Sequence, residues 1–414
     1  MKKVSIIGLG IGSLDYIHKK ALEAIENCDC LIGAKRMLMD FQSLNKKIYE
    51  SSNAEDICEY INHGNFKVYG ILVSGDSGFY SLSKKLTELL KKNDSIKIEN
   101  ISAVSSLQYF TSKLNLSWDN IKYVSAHGRN LNIVSNVIFN KKIFMLTSRD
   151  FGPDKICEIL TNKGLGNLKV SVGENLSYDN ERIVEDKASV IAKIKFEGLA
   201  VMIVHNDYCI SVDEAHSSIR DEEFITGKSP MTKSEVRTIS IGKLNLKSDY
   251  TVYDIGAGTG SVSVEAALKL SQGTLYAIEK DVEAVALIEK NIEKFKTYNI
   301  EIIKGTAPET LKNLPNPDAC FIGGSSGNMD DILNLVLKKN PQVNVVINTI
   351  TLQSLNEAIN CMEKYKFKDV EIVSVSVAKS KKVGKYDLMM GQNPIYIISG
   401  KGIGLYETEN KDKD

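Results

Sequence analysis

The chain has 414 residues, of which 43% are apolar and 25% charged, and its formal net charge is zero. This length exceeds one ordinary hydrophobic core and predicts two domains. The balanced charge argues against nucleic-acid and membrane-surface binding. The sequence contains no run of about 18 apolar residues that could cross a membrane, and it does not open with a signal-peptide pattern. We therefore expect a cytoplasmic protein.

The first half of the chain alternates apolar strands with helices. Val4–Ile7 precedes a glycine loop and a helix near residues 17–27, and further apolar runs follow at Cys30–Ile32 and Val68–Val73. Such continuous apolar strands predict a parallel sheet that is covered on both faces. After Trp118 a second set of strands predicts a smaller α/β subdomain, with strands at Ile121–Val124, Lys142–Leu146, Lys169–Val172 and Leu199–Val204.

A new α/β series follows the polar residues 213–223. Its predicted strands are Thr251–Ile255, Thr274–Ile278, Glu301–Ile303, Ala319–Ile322, Val343–Asn348, Val370–Val377 and Pro394–Ile398. The last two are predicted to form an antiparallel pair at the sheet edge. We therefore predict α/β domains over residues 1–212 and 213–402, and a disordered tail over residues 403–414.

The residues that usually bind metals show no metal-binding spacing. The seven cysteines are irregularly spaced, and the five histidines form no His-x-x-x-His pair. We expect free thiols in a reducing compartment and no metal site.

The glycine loop after the first strand is similar to the glycine motif of dinucleotide-binding sites. Its glycines, Gly8, Gly10 and Gly12, follow G-x-G-x-G and not G-x-G-x-x-G. The second strand also ends in Ile32-Gly33-Ala34, without the acid that holds a ribose. The loop is therefore weak evidence for a nicotinamide or flavin site.

The first half resembles the tetrapyrrole methylase family instead. The similarity lies in the segments 74–80 (SGDSGFY), 103–108 (AVSSLQ), 124–129 (VSAHGR) and 173–176 (GENL). It implies two α/β subdomains that bind S-adenosylmethionine between them, with contacts from Gly75, Asp76, Phe79, Ser105, Ser106 and Leu146. It also implies that Gly10 faces a tetrapyrrole and that Arg129 anchors a substrate carboxylate. A lone histidine that follows a strand, as His127 does, is more often a structural residue than a catalytic one.

The strongest local signal in the second half is the segment 253–260 (YDIGAGTG), where a strand passes into a helix. Glycines permit a tight turn and a close approach of a ligand. Asp254, ahead of the glycines, suits a positively charged amino-acid ligand better than a phosphate. Glu279 ends the next strand, where a carboxylate can accept hydrogen bonds from both ribose hydroxyls. Ala307 follows the third strand, where an adenine edge would lie.

This region resembles the seven-stranded class of S-adenosylmethionine methyltransferases, and more narrowly the decarboxylating methyltransferases of corrin precursors. The narrower likeness rests on the segment 227–237 (GKSPMTKSEVR), in which Thr232 would help to close the cofactor pocket. The implied cofactor contacts are Thr232, Asp254, Gly256, Ala257, Gly258, Thr259, Gly260, Glu279 and Ala307. Our candidate cations for substrate carboxylates are Lys228, Lys233 and Arg237.

The order of the two halves resembles the fused methyltransferases of precorrin-6Y. It implies S-adenosylmethionine-dependent methylation at ring positions 5 and 15, loss of carbon dioxide from the position-12 acetate, two cofactor sites per chain and a homo-oligomer. No nucleophilic triad is evident, and no residue is assigned to catalysis. The alternatives are a methyltransferase of another substrate class, such as RNA, and a non-catalytic scaffold. The motifs leave open whether the ring contains cobalt.

Overall fold

A computed structural model describes residues 1–126, 131–196, 199–211, 215 and 218–403. The chain divides into two compact units. The first unit comprises Met1–Arg129 and Lys142–His205, and the second comprises Asn130–Lys141 and Asn206–Asp414. The α/β fold class is confirmed in both. No helix in the described part of the chain is long and apolar enough to span a membrane.

The first sheet of the first unit has five parallel strands in the order β3-β2-β4-β1-β5. Its strands are β1 (Lys2–Gly8), β2 (Cys30–Gly33), β3 (Lys47–Glu50), β4 (Val68–Val73) and β5 (Ile96–Ile101), and its helices are α1 (Lys19–Glu26), α2 (Lys35–Leu38), α3 (Ala54–His63) and α4 (Ser83–Leu90). Ile6 packs into one buried cluster and Ile7 into another, so the sheet is covered on both faces. The predicted parallel sheet is confirmed, whereas β3 and β5 were not predicted.

The second sheet of the first unit has the order β6-β7-β10-β8-β9, in which only β6 and β7 are parallel. The strands are β6 (Lys122–Ser125), β7 (Lys142–Leu146), β8 (Lys169–Glu174), β9 (Arg182–Lys187) and β10 (Ala200–His205). The helices in this part of the chain are α5 (Ser106–Lys113), α6 (Ile133–Ile138), α7 (Pro153–Leu160) and α8 (Ala188–Ile191). The sequence did not predict β9, because this edge strand carries mostly exposed polar residues.

The second unit contains a seven-stranded sheet in the order β13-β12-β11-β14-β15-β19-β16. Its strands are β11 (Thr251–Ile255), β12 (Thr274–Glu279), β13 (Ile300–Lys304), β14 (Ala319–Ile322), β15 (Asn344–Thr349), β16 (Lys368–Val375) and β19 (Ile395–Lys401). Its helices are α9 (Ser234–Lys243), α10 (Ser261–Ala267), α11 (Val282–Phe295), α12 (Met329–Lys339) and α13 (Leu352–Lys364). The predicted antiparallel pair at the edge is confirmed as β16 and β19.

A separate hairpin lies between β16 and β19. It consists of β17 (Ala378–Val383) and β18 (Tyr386–Gly391), which pair with each other and with no other described strand. The hairpin was not predicted from the sequence, because its lysines interrupt the apolar pattern that marks a buried strand.

Residues 130–141 belong to the second unit although the chain on both sides of them belongs to the first. All six residues of α6 are buried. The Asn132 amide and the Ser135 hydroxyl donate to the carbonyl of Gly273, at 2.8 and 2.6 Å, just before β12. The backbone N–H of Ile210 donates to the Ile138 carbonyl at 2.7 Å. The two units are therefore not two consecutive stretches of the chain, because this segment of the first half belongs to the second unit. The predicted boundary near residue 212 lies outside the described residues.

Candidate functional site

The second unit contains a cavity of about 510 Å³ at the carboxyl ends of its parallel strands. The glycine loop after β11 forms one wall, and the segment 229–233 forms another. The predicted residues that line it are Thr232, Lys233, Gly256, Ala257, Gly258 and Glu279. A smaller cavity of about 40 Å³ adjoins Glu279 and contains the predicted Ala307 in its wall. The sequence thus identified a group of residues that the fold brings together.

Two glycines of this loop are required by close backbone contacts. Gly256 has a φ of +75°, and a Cβ atom there would lie 2.9 Å from the backbone nitrogen of Gly324. Gly258 has a φ of +57°, and its Cβ would lie 3.0 Å from the carbonyl oxygen of Pro230. A side chain at either position would clash with neighbouring backbone, so the cavity wall consists of main chain there.

Glu279, at the end of β12, connects this strand to the glycine loop. Its Oε2 accepts a hydrogen bond from the backbone N–H of Gly258 at 2.8 Å. Its Oε1 accepts from the N–H groups of Lys280 and Asp281, at 2.8 and 2.9 Å. The carboxylate therefore lines both cavities in a fixed orientation.

Asp254 does not line either cavity, and this corrects the expectation that it meets the ligand directly. Its side chain is 1% exposed, and its Oδ2 accepts a hydrogen bond from the Ser263 hydroxyl. Burial is the main cause that raises the pKa of this carboxyl to about 7, with a smaller contribution from Glu279. The expected contacts Thr259 and Gly260 are also absent from the cavity walls, because Thr259 is 1% exposed and Gly260 packs against Ile288.

The raised pKa of Asp254 predicts a pH-dependent stability. Between the usual aspartate pKa of about 4 and its folded value of about 7, the unfolded chain loses this proton while the folded chain retains it. The free energy of unfolding should therefore fall as pH rises through this window. In Asp254→Asn, whose amide mimics the neutral carboxyl, this part of the decline should be absent.

Melting temperatures measured between about pH 5 and pH 8 test this expectation. The variant should gain stability relative to the unmodified chain as pH rises. Asp249→Asn, a change of the same chemistry at an exposed position, should follow the unmodified chain. Parallel pH profiles for Asp254→Asn and the unmodified chain would contradict the assignment.

Arg237 is a second correction, because it is not available to a substrate carboxylate. The residue is fully buried, and its Nε donates to Glu265 at 2.7 Å. The guanidinium also donates to Asp221 at 3.2 Å and to the carbonyl of Thr232 at 2.7 Å. It therefore fixes the segment that carries Thr232 against α10. Among the other candidate cations, Lys233 lines the cavity and Lys228 does not.

The first unit contains a cavity of about 280 Å³. Its walls include six of the predicted residues, Gly10, Gly75, Asp76, Phe79, Ser106 and Leu146. Gly10 and Gly75 exchange backbone hydrogen bonds of 2.9 and 3.2 Å, which join the loops after β1 and β4. A Cβ atom on Gly75 would meet no atom within 4 Å, so its Cα faces open space.

Asp76 holds two loops of this cavity in place. Its Oδ1 accepts from the backbone N–H of Gly78, and its Oδ2 accepts from that of Ala103, both at 2.8 Å. The residue therefore connects the loop after β4 to the segment that leads into α5. A single carboxylate in this position determines the shape of both loops.

Ser105 is a third correction, because it caps a helix and does not line the cavity. Its hydroxyl accepts from the N–H of Gln108 at 3.2 Å, and the Gln108 side chain accepts from the N–H of Ser105 at 2.9 Å. This capping box accounts for the serine. Arg129 and His127 lie outside the described residues.

The first cavity also has walls that the sequence analysis did not predict. They include Arg36, Tyr80, Asn175 and Tyr178. Arg36 follows β2 and donates to the Ser74 hydroxyl at 3.2 Å. In the sequence it is only a basic residue at the start of a short helix, so nothing marked it as a cavity residue. Asn175 has a φ of +50° and lies in the segment 173–176, which is part of the family resemblance. The sequence therefore contained a reason to include Asn175 among the site residues.

Comparison with known proteins assigns each half of the chain to a family model. Residues 3–192 match "Tetrapyrrole (Corrin/Porphyrin) Methylases", and residues 223–400 match "Precorrin methyltransferase domain". Curated relatives from Sulfurisphaera tokodaii and Sulfolobus acidocaldarius, each named "Probable cobalt-precorrin-6B C(15)-methyltransferase (decarboxylating)", are both 41% identical. Each covers 44% of this chain and 96% of its own length.

A third relative, from Sinorhizobium sp, aligns with both halves in one chain. It is named "Precorrin-6Y C(5,15)-methyltransferase [decarboxylating]" and is 26% identical over 344 residues, which is 81% of each chain. The similarity therefore extends across the two family matches in the same order.

Proposed function

Since the chain belongs to the precorrin methyltransferases, with a tetrapyrrole methylase domain ahead of the precorrin methyltransferase domain, we propose that it performs two methylations on one corrin precursor. The methyl donor is S-adenosylmethionine, and the target atoms are ring carbons 5 and 15. The carboxylate of the position-12 acetate leaves as carbon dioxide, and the methylene group that remains takes up a proton and becomes a methyl group. The observation that carries this proposal is the Sinorhizobium relative, which aligns with 81% of this chain across both halves.

The cavity of the second unit fits the cofactor in chemical character. Main-chain groups of the glycine loop form its wall, and Glu279 supplies a fixed carboxylate that can accept hydrogen bonds from ribose hydroxyls. Gly324 lines both cavities, and a Cβ there would meet nothing within 4 Å, so the space beside it can hold a flat group such as adenine. We assign methylation at carbon 15 and decarboxylation to this unit.

The cofactor would supply an electrophilic methyl group on a sulfonium sulfur. The residues of this chain then have to bind the ring, align its electron-rich carbon and exclude water, which are tasks of positioning. Thr232 and Lys233 line the same cavity as the glycine loop. The electrons that the departing carboxylate leaves behind can enter the conjugated ring, so the decarboxylation needs no additional electron sink from the protein.

The cavity of the first unit is the proposed site of methylation at carbon 5. Asp76 fixes its loops, and the open side of Gly75 leaves room for a ligand. We therefore propose two cofactor sites per chain, one in each domain, with the domains over residues 1–212 and 213–402. A homo-oligomeric state and a cytoplasmic location remain predictions from the sequence.

The direct test is a single-turnover assay of the full chain. With S-adenosylmethionine and a corrin precursor of the precorrin-6Y type, the product should have gained two methyl groups and lost one carbon dioxide, as mass spectrometry would show. The cobalt-containing ring should be assayed in parallel with the metal-free ring. The proposal fails if neither ring gains a methyl group, and methylation of transfer RNA by the same preparation would favour the RNA alternative.

A further inference from the structure

The β17–β18 hairpin begins and ends at the cavity of the second unit. Val375 and Val377 line the cavity on the chain entering the hairpin, and Gln392 and Asn393 line it on the chain leaving it. The 14 residues between Ala378 and Gly391 therefore extend directly from the cavity mouth.

The hairpin combines positive charge with exposed apolar side chains. It contains four lysines and one acid, Asp387. Its five large apolar side chains are between 48% and 66% exposed, and they are Val383, Tyr386, Leu388, Met389 and Met390. Exposed apolar side chains that lie close together beside charged ones are typical of a binding surface.

Most of the positive charge of the hairpin is available to a ligand. Lys379 forms ion pairs with Glu235 at 3.0 Å and with Asp221 at 3.5 Å. Lys381, Lys382 and Lys385 form no ion pair with any other described residue. The lysine nearest the cavity thus anchors the hairpin. The other three form no ion pair with a described residue, and Lys385 lies over the ring of Tyr386.

The strand pairing identifies the face that looks toward the cavity. Lys379 lies opposite Met390, and Lys381 lies opposite Leu388. Directly opposed residues, and residues two apart in a strand, share one face of a sheet. These four residues therefore share a face, which we call the lysine-leucine face, with Val383 and Tyr386. The ion pairs of Lys379 direct this face to the start of α9, next to the cavity wall at Lys233.

We propose that the lysine-leucine face binds the corrin precursor, with its apolar side chains against the ring and Lys381 against a peripheral carboxylate. This inference rests on the proposed function, which supplies a substrate that is both a broad apolar ring and a polycarboxylate. The charge and the apolar area of the face match that chemistry.

The test compares two double variants of the full chain that have the same kind of change on opposite faces. Lys381→Ala with Leu388→Ala alters the lysine-leucine face. Lys382→Ala with Met389→Ala alters the other face, because Lys382 and Met389 point away from it. Initial rates of carbon dioxide release, measured against ring concentration, report on the second unit alone. Calorimetry with S-adenosylhomocysteine reports whether the cofactor sites remain intact.

The first variant should raise the KM for the ring about tenfold or more, since it loses a charged hydrogen bond and an apolar contact. Its kcat and its affinity for S-adenosylhomocysteine should stay close to those of the unmodified chain, and the second variant should match that chain throughout. Equal KM values in all three proteins would overturn the proposal. A changed molar mass in light scattering with an unchanged KM would also overturn it and identify the face as a contact between copies of the chain.

The same experiment separates failure of this inference from failure of the proposed function. If the unmodified chain releases no carbon dioxide from either ring form, the proposed function fails and the inference fails with it. If the unmodified chain is active and the first variant is equally so at every ring concentration, only the role of the hairpin is refuted.

Discussion

Replacing Glu279 by alanine should abolish methylation at carbon 15 and carbon dioxide release together. The change would remove the two hydrogen bonds that we propose Glu279 accepts from ribose, worth on the order of 3 kcal/mol or about a hundredfold in cofactor affinity. It also removes the acceptor of the Gly258 N–H and so loosens the glycine loop. Calorimetry with S-adenosylhomocysteine should give a stoichiometry near two for the unmodified chain and near one for the variant.

Methylation at carbon 5 provides the internal control for Glu279→Ala. Supplied with decarboxylated product, the variant should still add this methyl group, because the other cavity is unaltered. Glu283→Ala, which removes an exposed acid from the first turn of α11, should retain both activities. Loss of carbon 5 methylation on the decarboxylated substrate would show that the two activities are not divided between the units as proposed.

The largest effect expected in the first unit is that of Asp76→Ala. This change leaves the N–H groups of Gly78 and Ala103 without their acceptor and frees two loops of the cavity. The cofactor would then have to order these loops itself, which at about 1.5 kcal/mol for each lost charge-assisted hydrogen bond should weaken its binding in that cavity about a hundredfold. Methylation at carbon 5 should fall accordingly, and carbon dioxide release should continue at the unmodified rate. Product mass distinguishes the two outcomes.

Asp94→Ala is the matched control for Asp76→Ala. Asp94 is an exposed aspartate in the turn before β5 and lies outside the cavity walls. This variant should keep both activities. If Asp76→Ala stops carbon dioxide release while its melting temperature is unchanged, the assignment of separate sites is refuted.

The glycine loop and Glu279 could be predicted from the sequence because their signal is local. A strand that ends in glycines positions main chain at the end of a parallel sheet, and an acid at the end of the next strand must lie beside it. The same reasoning failed for Asp254, which precedes the glycines by two residues. Side chains alternate along a strand, and that of Asp254 enters the interior, where Ser263 binds it.

The roles of Arg237 and of the hairpin could not be predicted from a local sequence pattern. The position of Arg237 in a family-like segment suggested a substrate contact, but its acid partners, Asp221 and Glu265, come from distant parts of the chain. The hairpin lacks the apolar pattern of a buried strand because both of its faces are exposed. Whether such residues face a ligand depends on tertiary contacts, which the sequence encodes only indirectly.

The segment of residues 130–141 has a consequence for the order in which the chain folds during synthesis. Ser135 leaves the ribosome well before its partner Gly273, which lies 138 residues later in the chain. At about 5–20 residues per second, this separation corresponds to roughly 7–28 seconds of translation. Through that interval Asn132 and Ser135 lack the Gly273 carbonyl to which they donate in the finished protein. A nascent chain of this protein therefore completes the contacts of α6 only after the residues that precede β12 have been synthesised, when the whole first unit has already left the ribosome.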